Sequence, residues 1–132
     1  MNLKPYAIAA FCLFGTTAAA DVYKCSFTQN GAGGWSGKTL MVQFDEAKNS
    51  AQVMHNQTMA VSKEWYPAKL NSADAKRAVV SWKIKLVKDR KGQQANLDYR
   101  LRLVKSSNRG VLTMRPETYA NNFQTNGTCQ KQ

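Results

Sequence analysis

The residues of this 132-residue chain that are best suited to chemistry are its cations, which lie mainly in one block. Residues 76–115 contain twelve lysines and arginines against two acids, a net charge of +10, whereas the residues on either side are close to neutral. Concentrated positive charge attracts and steers anionic partners, although it does not specify a reaction. The block therefore predicts an anion-binding surface.

Few other residues form patterns that are typical of catalysis. The single histidine, His55, has no serine or cysteine signature that would use it as a base. Glu64 with Asp74, or Asp45 with Glu46, could form a carboxylate pair, but acids at turns and strand ends ordinarily serve structure. One histidine with scattered acids also lacks the clustered spacing of a metal site. We therefore expect a protein that is not an enzyme and that uses no cofactor and no metal.

The first twenty residues have the pattern of a cleavable secretory signal. Lys4 precedes an apolar stretch from Tyr6 to Phe14, and small residues follow up to Ala20. The apolar stretch is shorter than the roughly 20 residues that span a bilayer. We predict a signal peptide at residues 1–20 and a single exported β domain at 21–132 without a transmembrane segment. It would be periplasmic in a bacterium and secreted otherwise.

Export decides how the three cysteines are interpreted. Cys12 leaves with the signal, while Cys25 and Cys129 remain near opposite ends of the mature chain. In an oxidising compartment one pair has one connectivity, so we predict a Cys25–Cys129 disulfide. It would close a loop of about a hundred residues, and the chain-entropy model predicts that such a bond stabilises the fold by roughly 4 to 5 kcal/mol.

Alternating apolar residues predict the elements that position these groups. The strongest alternation runs through residues 80–86 and 95–103, and shorter ones cover 23–27 and 40–44. Weaker patterns predict a strand near Val53, a strand at 111–114 that stops at Pro116, and a helical turn within 70–77. About seven strands with tight turns predict an all-β fold, a small antiparallel meander that closes as a barrel or a sandwich.

The two strongest strands predict a hairpin with one cationic face. When their apolar sides coincide, one register places Lys83 opposite Arg100, and a shift of two residues places Lys85 opposite Arg100. Like charges directly opposite one another destabilise a sheet, which favours a binding role, although the solvated side of any strand also alternates in this way. The predicted anion-binding residues are Lys83, Lys85, Arg100, Arg102, Lys88, Arg90 and Lys91.

The aromatic residues of this hairpin bear on the choice of partner. Trp82 and Tyr99 fall on its apolar side, so we expect them in the core and not as a stacking platform for nucleic acid. An anionic envelope surface, an acidic polysaccharide or an acidic protein suits an exported protein better, and such contacts weaken with salt. We therefore expect a binding protein for an anionic partner. The alternatives are a carrier of a small apolar ligand inside a barrel, and an enzyme.

Two short patterns resemble known families. Residues 33–35 match the Gly-x-Trp that opens lipocalins. The Tyr23-x-Cys25 entry and the late Cys129 resemble the periplasmic inhibitors of c-type lysozyme, and this resemblance implies a small disulfide-tied barrel. The Ser-Gly-x-x-Tyr inhibitory motif of that family is missing because Leu40 stands where the tyrosine belongs. No functional residue is carried over from either family.

Overall fold

A computed structural model describes residues 20–28, 35, 37–88, 92, 94–117 and 122–132. Within this part of the chain, eight antiparallel strands form a closed barrel in sequence order, and β1 pairs with β8 to close it. The strands are β1 (Asp21–Phe27), β2 (Thr39–Asp45), β3 (Ser50–Met54), β4 (Tyr66–Ala73), β5 (Arg77–Lys88), β6 (Gln94–Val104), β7 (Arg109–Pro116) and β8 (Phe123–Lys131). The predicted all-β antiparallel fold is confirmed as a barrel, with eight strands and not about seven.

The barrel interior is filled by the apolar residues that the alternation predicts. In β6, Leu97, Tyr99 and Leu101 are at most 1% exposed, whereas Arg100 and Arg102 on the opposite parity are exposed. Successive side chains of a strand point to opposite faces, and an eight-stranded barrel is just wide enough to be filled by the inward set. The same parity that builds the core therefore puts the cations outside.

The predicted disulfide between Cys25 and Cys129 is confirmed. The two residues lie directly opposite each other on β1 and β8, and both are fully buried. The bond thus staples the strand pair that closes the barrel. Gly110 of β7 packs against it so closely that a Cβ atom there would overlap the Sγ atom of Cys129.

Both predicted registers of the β5–β6 hairpin are wrong. Lys83 lies opposite Asp98, not opposite Arg100, and Lys85 also does not face Arg100. The residue opposite Arg100 is Ser81. The observed register pairs a cation with a carboxylate and a cation with a hydroxyl, so the predicted repulsion between directly opposed cations is absent from these two pairs.

The helical turn predicted within residues 70–77 is also wrong. β4 continues to Ala73, and the Asp74 carboxylate then accepts hydrogen bonds from the backbone N–H groups of Lys76 and Arg77, at 2.7 and 2.8 Å. This turn leads into β5. A short helix, α1 (Asn56–Val61), instead follows β3, the strand predicted near Val53. No helix in the described ranges is long and apolar enough to cross a membrane.

Candidate anion-binding site

The outer surface of β4 to β7 carries a group of exposed cations that we call the basic wall. Of the seven residues predicted from the sequence, four belong to it, while the side chain of Lys88 and all of Arg90 and Lys91 lie outside the described part. The wall also gains one cation from β4 and one from β7. Its members are Lys69, Lys83, Lys85, Arg100, Arg102 and Arg115.

Strand pairing arranges most of these cations in a zigzag across the barrel. One row of facing residues contains Lys69, Ser81, Arg100 and Thr113, and the neighbouring row contains Lys83, Asp98 and Arg115. Each strand from β4 to β7 therefore contributes one cation, alternately from the two rows. Strands lie about 4.8 Å apart, so four cations from four strands share a band about 14 Å wide.

An open groove of about 560 Å³ lies within this band. Ser81 and Thr113, which are half-buried, line it together with the longer cationic side chains. Both hydroxyl residues face Arg100, one from each neighbouring strand. Short side chains between long ones leave the depression, so the groove is a direct result of the register.

The charges in the basic wall are unequally compensated. The Lys83 ammonium lies 2.5 Å from a carboxylate oxygen of Glu117 and 3.7 Å from one of Asp98. The Glu117 hydrogen bond, followed by the Asp98 charge, raises the pKa of Lys83, and the same Lys83 hydrogen bond lowers the pKa of Glu117. In the described part of the chain, no carboxylate lies within 4.0 Å of the three arginines of the wall. In the same described part, Lys69 and Lys85 also have no carboxylate within 4.0 Å, so the uncompensated charge is carried by these two lysines and the three arginines.

The described barrel surface outside the basic wall, on β1, β2, β3 and β8, differs from it in charge. On β2 and β3, Gln43 and Gln52 face each other and their amides form a hydrogen bond. At the β1–β8 seam, the Lys131 ammonium lies 3.2 Å from the Asp21 carboxylate. β1, β2, β3 and β8 carry only one further lysine, Lys24 of β1, so positive charge is less concentrated on that side than in the basic wall.

Sequence reasoning missed Lys69 and Arg115 as members of the wall. Lys69 belongs to the electrically balanced part of the sequence and joins the wall because β4 pairs with β5. Arg115 shares its parity with Thr113, while Leu112 and Met114 point inward. That alternation was a usable signal for Arg115, whereas the position of Lys69 depends on topology.

A second polar cluster, also missed from the sequence, surrounds His55 in the core. The imidazole is 3% exposed, and its Nε2 accepts a hydrogen bond from the Trp82 indole N–H at 3.1 Å. The Nδ1 atom lies 3.2 Å from the Asn56 side-chain oxygen, which can only accept, so the ring proton lies on Nδ1. Burial lowers the pKa of His55 to about 4, so the ring is neutral near pH 7 and acts as a structural acceptor.

Two aromatic rings complete this cluster. The rings of Trp82 and Tyr99 stack with centroids 5.2 Å apart, and the Tyr99 hydroxyl donates to the Trp35 carbonyl at 2.8 Å. Burial raises the pKa of Tyr99. Both rings belong to the core, as the sequence predicted, and neither offers an exposed stacking surface.

Two of the carboxylates considered as catalytic candidates, Asp45 and Asp74, have structural roles in turns. Asp45 accepts hydrogen bonds from the backbone N–H groups of Ala47 and Lys48, as Asp74 does in its own turn. The described residues contain no group of three or more histidine, cysteine or acidic side chains that could hold a metal ion. The arrangement with the clearest chemical capacity is the basic wall, which can attract an anion and donate hydrogen bonds to it.

Comparison of the chain with protein-family models, with curated proteins and with solved structures finds no match.

Proposed function

We propose that the protein is an exported, non-enzymatic binding protein that engages an anionic envelope or extracellular partner through the basic wall. The observation that carries this proposal is a groove lined by Arg100 and Arg115, neither of which has a carboxylate within 4.0 Å in the described part of the chain. Uncompensated like charges on neighbouring rows repel one another, and a bound anion would remove that repulsion.

The disulfide supports the exported part of the proposal. Disulfides persist in oxidising compartments and are rare where thiols are kept reduced. Cys25 and Cys129 form a fully buried bond at the barrel seam, which is the arrangement of a structural staple. The predicted signal peptide points to the same compartment.

The packing of the interior favours the wall over the carrier alternative. Large side chains such as Tyr23, Phe44, Trp82 and Tyr99 are buried inside the barrel and make contact in pairs. In the described part of the chain, this filled interior gives no support to the hypothesis that the barrel carries an apolar ligand. The enzyme alternative has no better support, since His55 is engaged on both ring nitrogens.

We expect charge reversal in the wall to abolish most anion binding. The variant Arg100→Glu/Arg115→Glu should bind anionic phospholipid vesicles, polygalacturonate or heparin at least about tenfold more weakly, equivalent to about 1.4 kcal/mol. The matched control Lys24→Glu/Lys48→Glu makes the same change in net charge away from the wall. At about 0.1 M salt the Debye length is about 10 Å, so the control should bind nearly as wild type does.

The binding should be measured by pull-down and surface plasmon resonance at two salt concentrations. Equal losses in the wall variant and in the control would show that net charge alone acts, and unchanged binding of the wall variant would overturn the proposal. Wild-type binding that survives about 1 M salt, where the Debye length is about 3 Å, would point to an apolar contact surface instead.

A further inference from the structure

Within the basic wall, we infer that Arg100, Ser81 and Thr113 form a subsite for a tetrahedral oxyanion, a phosphate or sulfate group carried by the anionic partner. This inference rests on the proposed function and assigns a ligand class to it. Three strands supply the three side chains, so the barrel framework fixes their relative positions.

The register brings a guanidinium between two hydroxyls. Arg100 of β6 lies directly opposite Ser81 of β5 and directly opposite Thr113 of β7. Directly opposed residues have Cβ atoms about 4.5 to 5.5 Å apart, so both hydroxyls lie within reach of an ion held by the Arg100 side chain. Arginine presents five N–H donors and no acceptor. No carboxylate in the described ranges competes for them within 4.0 Å.

The Ser81 hydroxyl is oriented as a donor by a neighbour on β4. The Asn71 side-chain N–H₂ group donates to Ser81 Oγ at 2.8 Å. Asn71 is the extra residue of a β-bulge between Leu70 and Ser72, and bulges redirect side chains in this way. Because Asn71 uses a lone pair of the hydroxyl oxygen, the hydroxyl proton of Ser81 is left for an acceptor. Arg100 and Ser81 thus offer donors to an anion, and the carboxylate that lines the groove, Asp98, lies 3.7 Å from the Lys83 ammonium.

The spread of donors over three strands favours a tetrahedral ion over a carboxylate. A carboxylate has two oxygens in one plane, and the Arg100 guanidinium alone can donate a hydrogen bond to each of them. A phosphate or sulfate presents further oxygens in other directions, where Ser81 and Thr113 lie on either side of Arg100. Lys69 and Arg115 at the groove add positive charge, which suits an anionic ester group such as a phosphate monoester with a charge of about −1.5 to −2.

The groove is large enough for the oxyanion to be part of a larger molecule. A water molecule occupies about 30 Å³ in the liquid, so a groove of about 560 Å³ has room for far more than a free ion. A phosphate or sulfate monoester would place its oxygens at Arg100 and its organic part along the groove. Both a sugar and a lipid headgroup can carry such a group.

The subsite can be tested by NMR titration of the isotope-labelled protein with inorganic phosphate, sulfate and acetate at constant ionic strength. We expect saturable shifts of the Ser81, Arg100 and Thr113 amides with phosphate and sulfate, and about tenfold weaker binding of acetate. The variant Ser81→Ala/Thr113→Val keeps the net charge and should lose this preference. The control Ser26→Ala/Thr128→Val removes the same two hydroxyls from a facing pair at the β1–β8 seam and should keep it.

The outcomes separate this inference from the proposed function. A preference for phosphate that survives in Ser81→Ala/Thr113→Val, or a wild type that binds acetate as well as phosphate, overturns the subsite. If Arg100→Glu/Arg115→Glu still abolishes polyanion binding in that case, the proposed function stands without the subsite. Unchanged polyanion binding by that charge-reversed variant overturns both. If the subsite is upheld, titrations with glycerol 3-phosphate and with glucose 6-phosphate compare the two carriers. The tighter of the two identifies a lipid headgroup or a sugar as the carrier.

Discussion

Replacing Cys25 and Cys129 together with alanine is expected to lower the free energy of unfolding by about 4 kcal/mol. The two residues are 104 apart in sequence, so the disulfide removes a large closure entropy from the unfolded chain. A small domain is typically stable by about 5 to 15 kcal/mol, so this loss is a large fraction of the total. Urea unfolding of the oxidised wild type and of the double-alanine variant measures it directly.

Gly110 provides a matched probe of the same bond. In the wild type, Gly110→Ala places a methyl group onto Cys129 Sγ and should destabilise the barrel by about 1 to 3 kcal/mol. In the double-alanine background the sulfur is gone, and the next atom, Leu101 Cδ1, lies at an ordinary 3.6 Å. Glycine weakens a strand interior relative to alanine, so the same substitution should there be neutral or slightly stabilising.

The resulting cycle isolates the contact between the glycine and the disulfide. An equal cost of Gly110→Ala in both backgrounds would show that the sulfur is not what excludes a side chain at this position. A double-alanine variant that unfolds at the wild-type urea concentration would contradict the role of the disulfide as a staple.

The alternation of apolar residues predicted the core because parity alone decides which face of a strand is buried. Parity predicts that Leu97, Tyr99 and Leu101 point inward and Arg100 outward, and the structure agrees. Parity could not fix the hairpin register, because a shift of two residues leaves the apolar faces matched. The register depends on the β5 irregularity between Ile84 and Val87, which no local pattern announces.

The difference between parity, which the sequence shows, and register, which it does not, also explains which parts of the candidate site could be predicted. Exposure of Lys83, Arg100 and Arg102 follows from parity, so the sequence located these cations correctly on the outer surface. The groove depends on which strands are neighbours, since Lys69 arrives from β4 and Thr113 from β7. These strands are consecutive, but the residues that lie opposite one another depend on the pairing register, which the apolar alternation does not fix.

We expect His55 to make the barrel less stable as the pH falls from about 6.5 to about 4. The native ring has a pKa of about 4 because burial disfavours its charged form, whereas an unfolded histidine titrates near 6.5. Between these values the unfolded chain binds a proton that the native chain does not, so acid favours unfolding. The contribution is complete above about 6.5 and amounts to about 3 kcal/mol when it is fully lost.

Protonation also removes a specific hydrogen bond. Nε2 of His55 accepts from the Trp82 indole N–H, and a protonated ring would present a donor to that donor. Carboxylates such as Asp74 and Glu117, whose pKa values are lowered in the fold, lose stabilisation at acid pH as well. The histidine contribution must therefore be separated from theirs by a variant that keeps the acceptor but does not titrate.

His55→Gln provides that variant, because the glutamine side-chain oxygen can accept from Trp82 while carrying no titratable proton. The pH dependence of its unfolding free energy should be shallower than that of the wild type between about 4 and 6.5, and the two should run parallel above that range. Because the chain has a single histidine, its ring resonances give the native pKa without assignment. A ring that titrates near 6.5 in the folded protein, or equal slopes for the two proteins, would show that His55 is not the buried acceptor that holds Trp82.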